Sequence, residues 1–208
     1  MAGVFITFEG GEGAGKSTHI KRLAERLKAQ SREVLTTREP GGTPGGEAIR
    51  ALVVAGDVVR WSAEAEALLN YAARDAHLRE AIRPALTRGA IVLSDRFMDS
   101  TRAYQGHAGG CDLGLIDALE RTVVGTTRPK LTLILDLDPQ LGLSRAKHRG
   151  ETEDDRFERK GLEFHRKLRQ GFLDIARREP ARCRVIDAGK PIEDVAAAVW
   201  AEVGAVLA

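Results

Sequence analysis

Short runs of apolar, often β-branched residues recur along the chain at Val4 to Phe8, Glu33 to Thr37, Ala90 to Ser94, Leu131 to Leu137 and Arg184 to Asp187. These runs predict five strands. Between them lie good helix formers with helical periodicity: Lys16 to Gln30, Glu64 to Arg88, Leu113 to Val124, Pro139 to His148, Gly161 to Arg178 and Ile192 to Leu207. Regular alternation of strand and helix predicts an α/β fold, a parallel sheet with helices on both faces. Phe5, Phe8, Phe164, Phe172, Trp61 and Trp200 are expected to pack in or against the core. No internal repeat and no Ser/Pro linker divides the 208 residues, so residues 1–208 read as one domain. One stretch breaks the pattern: Lys147 to Lys160, KHRGETEDDRFERK, is almost entirely charged between two helical segments. A solvated surface loop and a mobile lid both fit it.

With 43% hydrophobic and 30% charged residues, a chain of this length buries roughly 70% of its unfolded surface and needs no metal or disulfide staple. Disorder and fibrous repeats are excluded. Thirty-two Lys and Arg against thirty Asp and Glu give +2, too balanced for whole-surface binding to nucleic acid or membrane. Any recognition of phosphate must be local. Cys111 and Cys183 have no CxxC partner and no histidine at ligand spacing, so reduced, buried thiols are expected rather than zinc. The start, MAGVFITFEGG, lacks a basic region and a long apolar core, and no stretch approaches about 18 uninterrupted apolar residues. A soluble, cytoplasmic protein is expected.

Directly after the first predicted strand comes Gly10-Gly11-Glu12-Gly13-Ala14-Gly15-Lys16-Ser17, followed by Thr18 and a helix. The spacing satisfies GxxxxGK[ST]. Glycines let successive N–H groups turn in around phosphate oxygens, and the helix N-terminus adds the positive end of its dipole. Lys16 would reach the β- and γ-phosphates and the Ser17 hydroxyl would ligate Mg²⁺. A chance Gly-rich turn is the alternative, and the flanking strand and helix argue against it. A GTP switch is disfavoured: Asn70 is the only asparagine and Tyr71 follows it, so NKxD is absent, and no aspartate is followed three residues later by glycine. The chain is also short for a motor or transporter ATPase; a small transferase fits better.

The third predicted strand ends at Asp95-Arg96-Phe97. Ligands gather at the carboxyl ends of parallel strands, so Asp95 could hold Mg²⁺ through water and Arg96 could clamp a phosphate. The alternative is a surface ion pair of little energetic consequence.

FEGGEGAGKST, then TREPGGTPGGEAIR from Thr37, DRFMDSTRAYQG from Asp95 and RGETEDDRFE from Arg149 occur in that order through nearly the whole chain. Together they resemble the bacterial thymidylate kinases, nucleoside monophosphate kinases with a phosphate-binding loop. The resemblance implies a five-stranded parallel sheet with a short mobile lid at about residues 147–160. It implies transfer of the ATP γ-phosphoryl group to dTMP, giving dTDP and ADP, with Mg²⁺ as cofactor, in a homodimer. A related kinase of altered base preference, or a non-catalytic ATP-binding switch, are the alternatives. Phosphoryl transfer needs alignment and charge neutralisation rather than a protein nucleophile, and guanidinium forks match phosphate geometry.

Carried over by position, Arg38 and Arg96 look like clamps on the acceptor phosphate, and Glu39 would support that loop, with Glu39-Pro40 a candidate cis peptide. Glu12 matches the acidic position beside the sugar 3′-hydroxyl and metal waters. Arg50 and Arg74 match base-side arginines, Thr101 and Gln105 polar contacts to the base, Tyr104 the ring disfavouring a ribose 2′-hydroxyl, and Ser100 the acceptor-phosphate region. Because the phosphate loop itself has Ala14 and no arginine, Arg149 and Arg156 match the family's transition-state cations, Arg149 alternatively stacking on adenine. The catalytic set implied is Lys16, Asp95, Arg96 and Arg156. One position departs from the family: Asn70 stands four residues before Arg74, where a phenylalanine usually stacks on thymine. Asn70 is expected to hydrogen-bond the base or a neighbouring water.

Overall fold

The computed structural model describes residues 3–148 and 156–207. Its sheet has five parallel strands, β1 (Val4–Glu9), β2 (Val34–Arg38), β3 (Ile91–Asp95), β4 (Leu131–Asp136) and β5 (Cys183–Asp187), in the order β2-β3-β1-β4-β5. Each predicted strand is present, with ends moved by at most one residue. Alternation along β1 sends Ile6 and Phe8 into a core with Leu27, Leu133, Val195 and Val203, and Phe5 into a second core with Tyr71, Ile82, Val92 and Phe97. α1 (Lys16–Ala29) and α9 (Ile192–Leu207) cover the first face. Helices α3 (Ala63–His77) and α6 (Leu113–Leu119) cover the second. A third cluster joins Ile134 of β4, Tyr104, and Leu168 and Phe172 of α8 (Leu162–Arg178).

Helix α2 (Pro44–Val54) was not expected from the pattern. Two glycines in its first turn weaken helix propensity, yet Thr43 caps it by accepting from the Gly46 N–H at 3.1 Å, with Pro44 opening the helix. The single helix expected from Glu64 to Arg88 is α3, a wider π-helical turn over Leu78–Ile82, and α4 (Arg83–Thr87). Pro84 has no N–H to continue the ladder and crowds the carbonyl four residues back, and the wide turn sits just before it. Met98–Thr101 forms α5 and continues through a π-helical turn, Arg102–Ala108. Its polar residues face inward, which hides the helix from a hydrophobic pattern. α7 is Pro139–Lys147. Of the segment 147–160 read as a lid, residues 149–155 lie outside the described residues.

Strand register aligns the site. Asp95 pairs with Phe8 on one side and Arg38 on the other, so the carboxyl ends of β1, β2 and β3 form one row. Beneath it, Asp99 of α5 is 1% exposed and holds Arg182 through two hydrogen bonds, Nη2 to Oδ1 at 2.7 Å and Nη1 to Oδ2 at 2.8 Å. Arg182 Nη1 also donates to Thr132 Oγ1, itself 2.9 Å from Thr7 Oγ1. This network ties the start of β5 to α5. Removing one partner of a buried pair strands the other. Arg182→Ala is therefore expected to lower unfolding free energy by about 3 kcal/mol in urea titrations, whereas Arg79→Ala, at an exposed pair with Asp75, changes it by less than about 1 kcal/mol.

Candidate active site

The loop after β1 is shaped by close backbone approach. A Cβ on Gly13 (φ +66°) would lie 2.1 Å from the Gly142 carbonyl oxygen on α7, and one on Gly10 (φ +130°) would lie 2.4 Å from that of Leu135. α1 starts at Gly15 with no side-chain cap and no acid in its first turn, leaving its N–H groups and positive dipole end for an anion. Lys16 Nζ donates to the Gly10 and Gly11 carbonyls at 3.1 and 2.9 Å. Burial, then the adjacent Arg96 cation, pull the Lys16 ammonium down to about 8 against the opposing pull of Asp95, Glu12 and Glu9. Ser17 Oγ donates to Asp95 Oδ2 at 2.7 Å, so these two oxygens from β3 and α1 meet in front of the loop.

Arg96 follows Asp95 in the left-handed region, φ +69°, a conformation that costs a non-glycine residue of order 1 kcal/mol. It is held by Arg96 N–H donating to the Phe8 carbonyl and by the Ser94 hydroxyl donating to the Arg96 carbonyl. The turn aims the guanidinium back over β1: Nη1 donates to the Gly10 carbonyl at 2.9 Å and Ser100 Oγ at 3.3 Å, and Nη2 to Glu12 Oε1 at 3.0 Å. Tyr104 Oη donates to the same Glu12 oxygen at 2.6 Å, and the Arg96 guanidinium lies 4.8 Å from the Tyr104 ring centroid. Burial pushes the Glu12 carboxyl up, but Arg96, Lys16 and the Tyr104 hydroxyl outweigh it and hold it at about 2. Under this layer sits Glu9, accepting from Phe97 N–H and Ser100 Oγ, its carboxyl raised by burial and by Asp99. Glu9 was not singled out in the sequence, where it is one more residue of an apolar strand.

Two clefts adjoin this cluster. One, of about 1080 Å³, runs along Gly13 to Thr18, Arg38 and Asp95. The other, of about 640 Å³, is lined by Pro40, Val53, Val54, Asn70, Arg74, Phe97, Ser100, Thr101, Tyr104, Gln105 and Phe157. Glu12, Glu39, Arg50, Arg96 and Glu158 line both. Gly13 to Thr18 thus fall on the larger cleft and Pro40, Asn70, Arg74, Ser100, Thr101, Tyr104 and Gln105 on the smaller, whereas Arg38, matched to the acceptor phosphate, lines only the larger, and Gly10 and Gly11 line a separate hollow beside β4.

In the smaller cleft Arg74 is 2% exposed and oriented by Glu39, to which its Nε donates at 2.7 Å, and by Thr101 Oγ1 at 3.1 Å. Its guanidinium lies 4.4 Å from the Tyr71 ring centroid. Nη1 is buried without a hydrogen-bond partner among the described residues, on a residue that lines the cleft. The other Glu39 oxygen pairs with His77 Nδ1 at 2.9 Å, and His77 Nε2 lies 2.6 Å from Thr37 Oγ1. His77 has no metal-type spacing in the sequence and only the fold brings it to Glu39. The Glu39-Pro40 peptide is cis. Arg38 Nη2 donates to Glu47 at 3.1 Å, and Arg50 Nη1 to the Pro40 carbonyl at 3.1 Å. Asn70 Nδ2 donates to the Glu66 carbonyl at 2.8 Å.

Arg156, expected as a catalytic cation, is placed away from both clefts. Its side chain is 0% exposed: Nε donates to the Asp57 carbonyl at 2.7 Å, Nη1 to Val53 at 3.1 Å, and Nη2 to Val58 at 2.9 Å and to Glu66 Oε1 at 2.7 Å. It lines neither cleft. Engaged by these protein oxygens, the guanidinium anchors the chain after residue 155 to the α2–α3 connection. Arg149 lies outside the described residues.

The lowered Lys16 gives a pH signature. The ammonium is present below about 8 and lost as pH rises through that value, so ATP affinity in calorimetric titrations is expected to fall above about pH 8, approaching tenfold per pH unit. Lys16→Arg should move that inflection beyond the accessible range, and Glu9→Gln should retain one.

The family model described as thymidylate kinase matches residues 8–199. The thymidylate kinase of Caulobacter vibrioides is 60% identical over 197 residues, 95% of this chain and 94% of that protein. That of Rhodopseudomonas palustris (strain BisB18) is 53% identical over 203 residues, covering 97% of this chain and 88% of the relative. A crystal structure of thymidylate kinase from Ehrlichia chaffeensis superposes with a TM-score of 0.80 at 35% identity, over 98% of this chain and 99% of that one. With the phosphate loop, the paired clefts and the parallel sheet in the same chain, these matches establish that the protein belongs to the thymidylate kinase family.

Proposed function

We propose that the larger cleft takes ATP, the smaller one dTMP, and that the phosphoryl group crosses at the wall they share. The chain is an ATP-dependent dTMP kinase, a phosphotransferase that forms dTDP and ADP. The observation that carries the division of labour is that Arg96 and Glu12 line both clefts. A loose phosphoryl-transfer transition state needs two phosphates in line and cations around the moving charge. Lys16 and the α1 N-terminus serve the donor phosphates; Arg96, on the shared wall beside Ser100, and Arg38, which lines the larger cleft, clamp the acceptor phosphate where the two clefts meet. Glu12, held ionised by its neighbours, orients the sugar hydroxyl and metal waters, and the Tyr104 ring crowds a 2′-hydroxyl.

The Ser17 hydroxyl and Asp95 carboxylate, 2.7 Å apart, are hard oxygen donors that suit Mg²⁺, which takes few protein ligands and keeps phosphates and waters. Among the described residues no cluster of three His, Cys, Asp or Glu side chains offers a different metal site. Held by Ser17 and Asp95, Mg²⁺ would supply positive charge that offsets the phosphates.

Arg74 Nη1 suits a base carbonyl, and Thr101 and Gln105 supply further polar contacts. Asn70 removes the usual stacking ring; Phe97 and Phe157 on the same cleft support retention of thymine without it, with Asn70 contacting the base or a bridging water. The reading also comprises one kinase unit with residues 147–160 as its lid, Arg149 as the lid's cation or adenine contact, and a cytoplasmic homodimer. Exposed Leu52, Val59 and Leu68 support a partner face near α2 and α3, and no helix among the described residues is long and apolar enough to cross a membrane.

Coupled ADP release with dTMP, dUMP and thymidine offered separately tests the assignment. Saturable turnover with dTMP is expected, and Arg74→Met should raise the dTMP KM at least about tenfold with the ATP KM unchanged. Turnover with thymidine but not dTMP would overturn the monophosphate assignment, and acceptor-independent behaviour would favour an ATP-binding switch.

A further inference from the structure

Glu66, on α3, is 1% exposed and lines neither cleft, yet three side chains converge on its carboxylate. Oε2 accepts from Gln105 Nε2 at 2.8 Å. Oε1 accepts from Arg156 Nη2 at 2.7 Å and from Lys160 Nζ at 3.2 Å. A carboxylate facing two cations only accepts, so it dictates which end of the Gln105 amide it meets. The NH₂ donates to Glu66; an amide oxygen turned the same way would be repelled. Gln105 consequently offers Oε1, an acceptor, to the cleft it lines.

Arg74 presents the complementary group. Its Nη1, buried beside the same cleft, is a donor without a partner among the described residues. A donor and an acceptor together match a pyrimidine imide edge, in which a carbonyl sits next to an N3–H. Cytosine carries an acceptor at N3 and an amino group at C4, so both atoms oppose this pair.

Resting on the assignment of dTMP to this cleft, we propose that Glu66 is a positioning residue for base selection: it fixes the Gln105 amide so that the acceptor, and not the donor, reads N3. The anion itself is anchored by Arg156, whose remaining donors bind the Val53, Asp57 and Val58 carbonyls. That gives the buried Arg156 a function remote from the phosphates, because it holds Glu66 in the acceptor-only arrangement that orients Gln105.

The test is a swap of the two groups. In Glu66→Gln the introduced amide must keep its oxygen toward Arg156 and Lys160, which turns its NH₂ toward Gln105. Gln105 then reverses and shows its own NH₂ to the base. The ratio of dTMP to dCMP kcat/KM is expected to fall at least about tenfold, carried by the dTMP KM, with the ATP KM within about twofold of wild type. In Glu66→Gln with Gln105→Glu, the introduced amide donates to the introduced carboxylate, which again offers an acceptor to N3, and most of the lost ratio should return. A purely structural Glu66 would depress all acceptors equally, and an unchanged ratio, or a double variant no closer to wild type than the single one, overturns the proposal. Should Glu66→Gln not fold, Glu66→Asp keeps the anion while drawing it back from Gln105, and a fall of about threefold in the ratio is expected; an unchanged ratio there is equally contradictory. Gln105→Ala separates the two readings: unchanged base preference in that variant would mean that the base is not read at Gln105 and the proposal would fall, whereas the cleft assignment itself falls only if Arg74→Met leaves the dTMP KM unchanged.

Discussion

The site is organised by the compensation of a buried arginine at the end of β3. Arg96 leaves the strand in a left-handed conformation that sends its guanidinium back across the neighbouring β1. There it meets Glu12 from the phosphate loop, the Gly10 carbonyl and Ser100 from α5. A cation buried without such partners would be strongly unfavourable. Held by them, it becomes a fixed positive charge on the wall between the two clefts, present before any ligand arrives, which is the preorganisation that phosphoryl transfer demands. The same contacts lock the loop to α5, so the geometry of the two clefts is set together.

Polar residues below this layer make it rigid. Glu9 supports Ser100 and the turn at Phe97, while Asp99 on the same short helix is clamped by Arg182 at the start of β5. At the smaller cleft Glu39 divides its carboxylate between Arg74 and His77, and behind it Glu66 divides its own between Gln105 and the cations of Arg156 and Lys160. Ionised side chains at the surface of the cleft thus rest on buried acids behind them. Long, flexible arginine and glutamine side chains are thereby confined to orientations in which they can discriminate ligands.

The strands were legible because a parallel sheet buried on both faces leaves continuous apolar runs, and Gly10 to Ser17 carried its own chemistry in its spacing. The resemblance placed Arg74, Thr101, Tyr104 and Gln105 in the chain, and folding brings all four to one cleft. Helix α2 was hidden by glycines in its first turn, and α5 by inward-facing polar residues. The supporting acids were hidden for another reason: Glu66 meets Arg156 across 90 positions and Glu39 meets Arg74 across 35, distances over which no local pattern speaks. Arg156 is instructive in the other direction. Motif position suggested a catalytic cation, whereas hydrogen-bond geometry assigns its donors to protein carbonyls and Glu66.

The shared position of Arg96 is tested most directly by rapid-quench single-turnover measurements on Arg96→Lys with both substrates saturating. Lysine keeps the charge but cannot reach Gly10, Glu12 and a phosphate at once from a planar fork. A transfer rate at least about 100-fold below that of the unaltered chain is expected, with ATP affinity retained. A transfer rate within about threefold of the unaltered chain would contradict the central role given to that guanidinium.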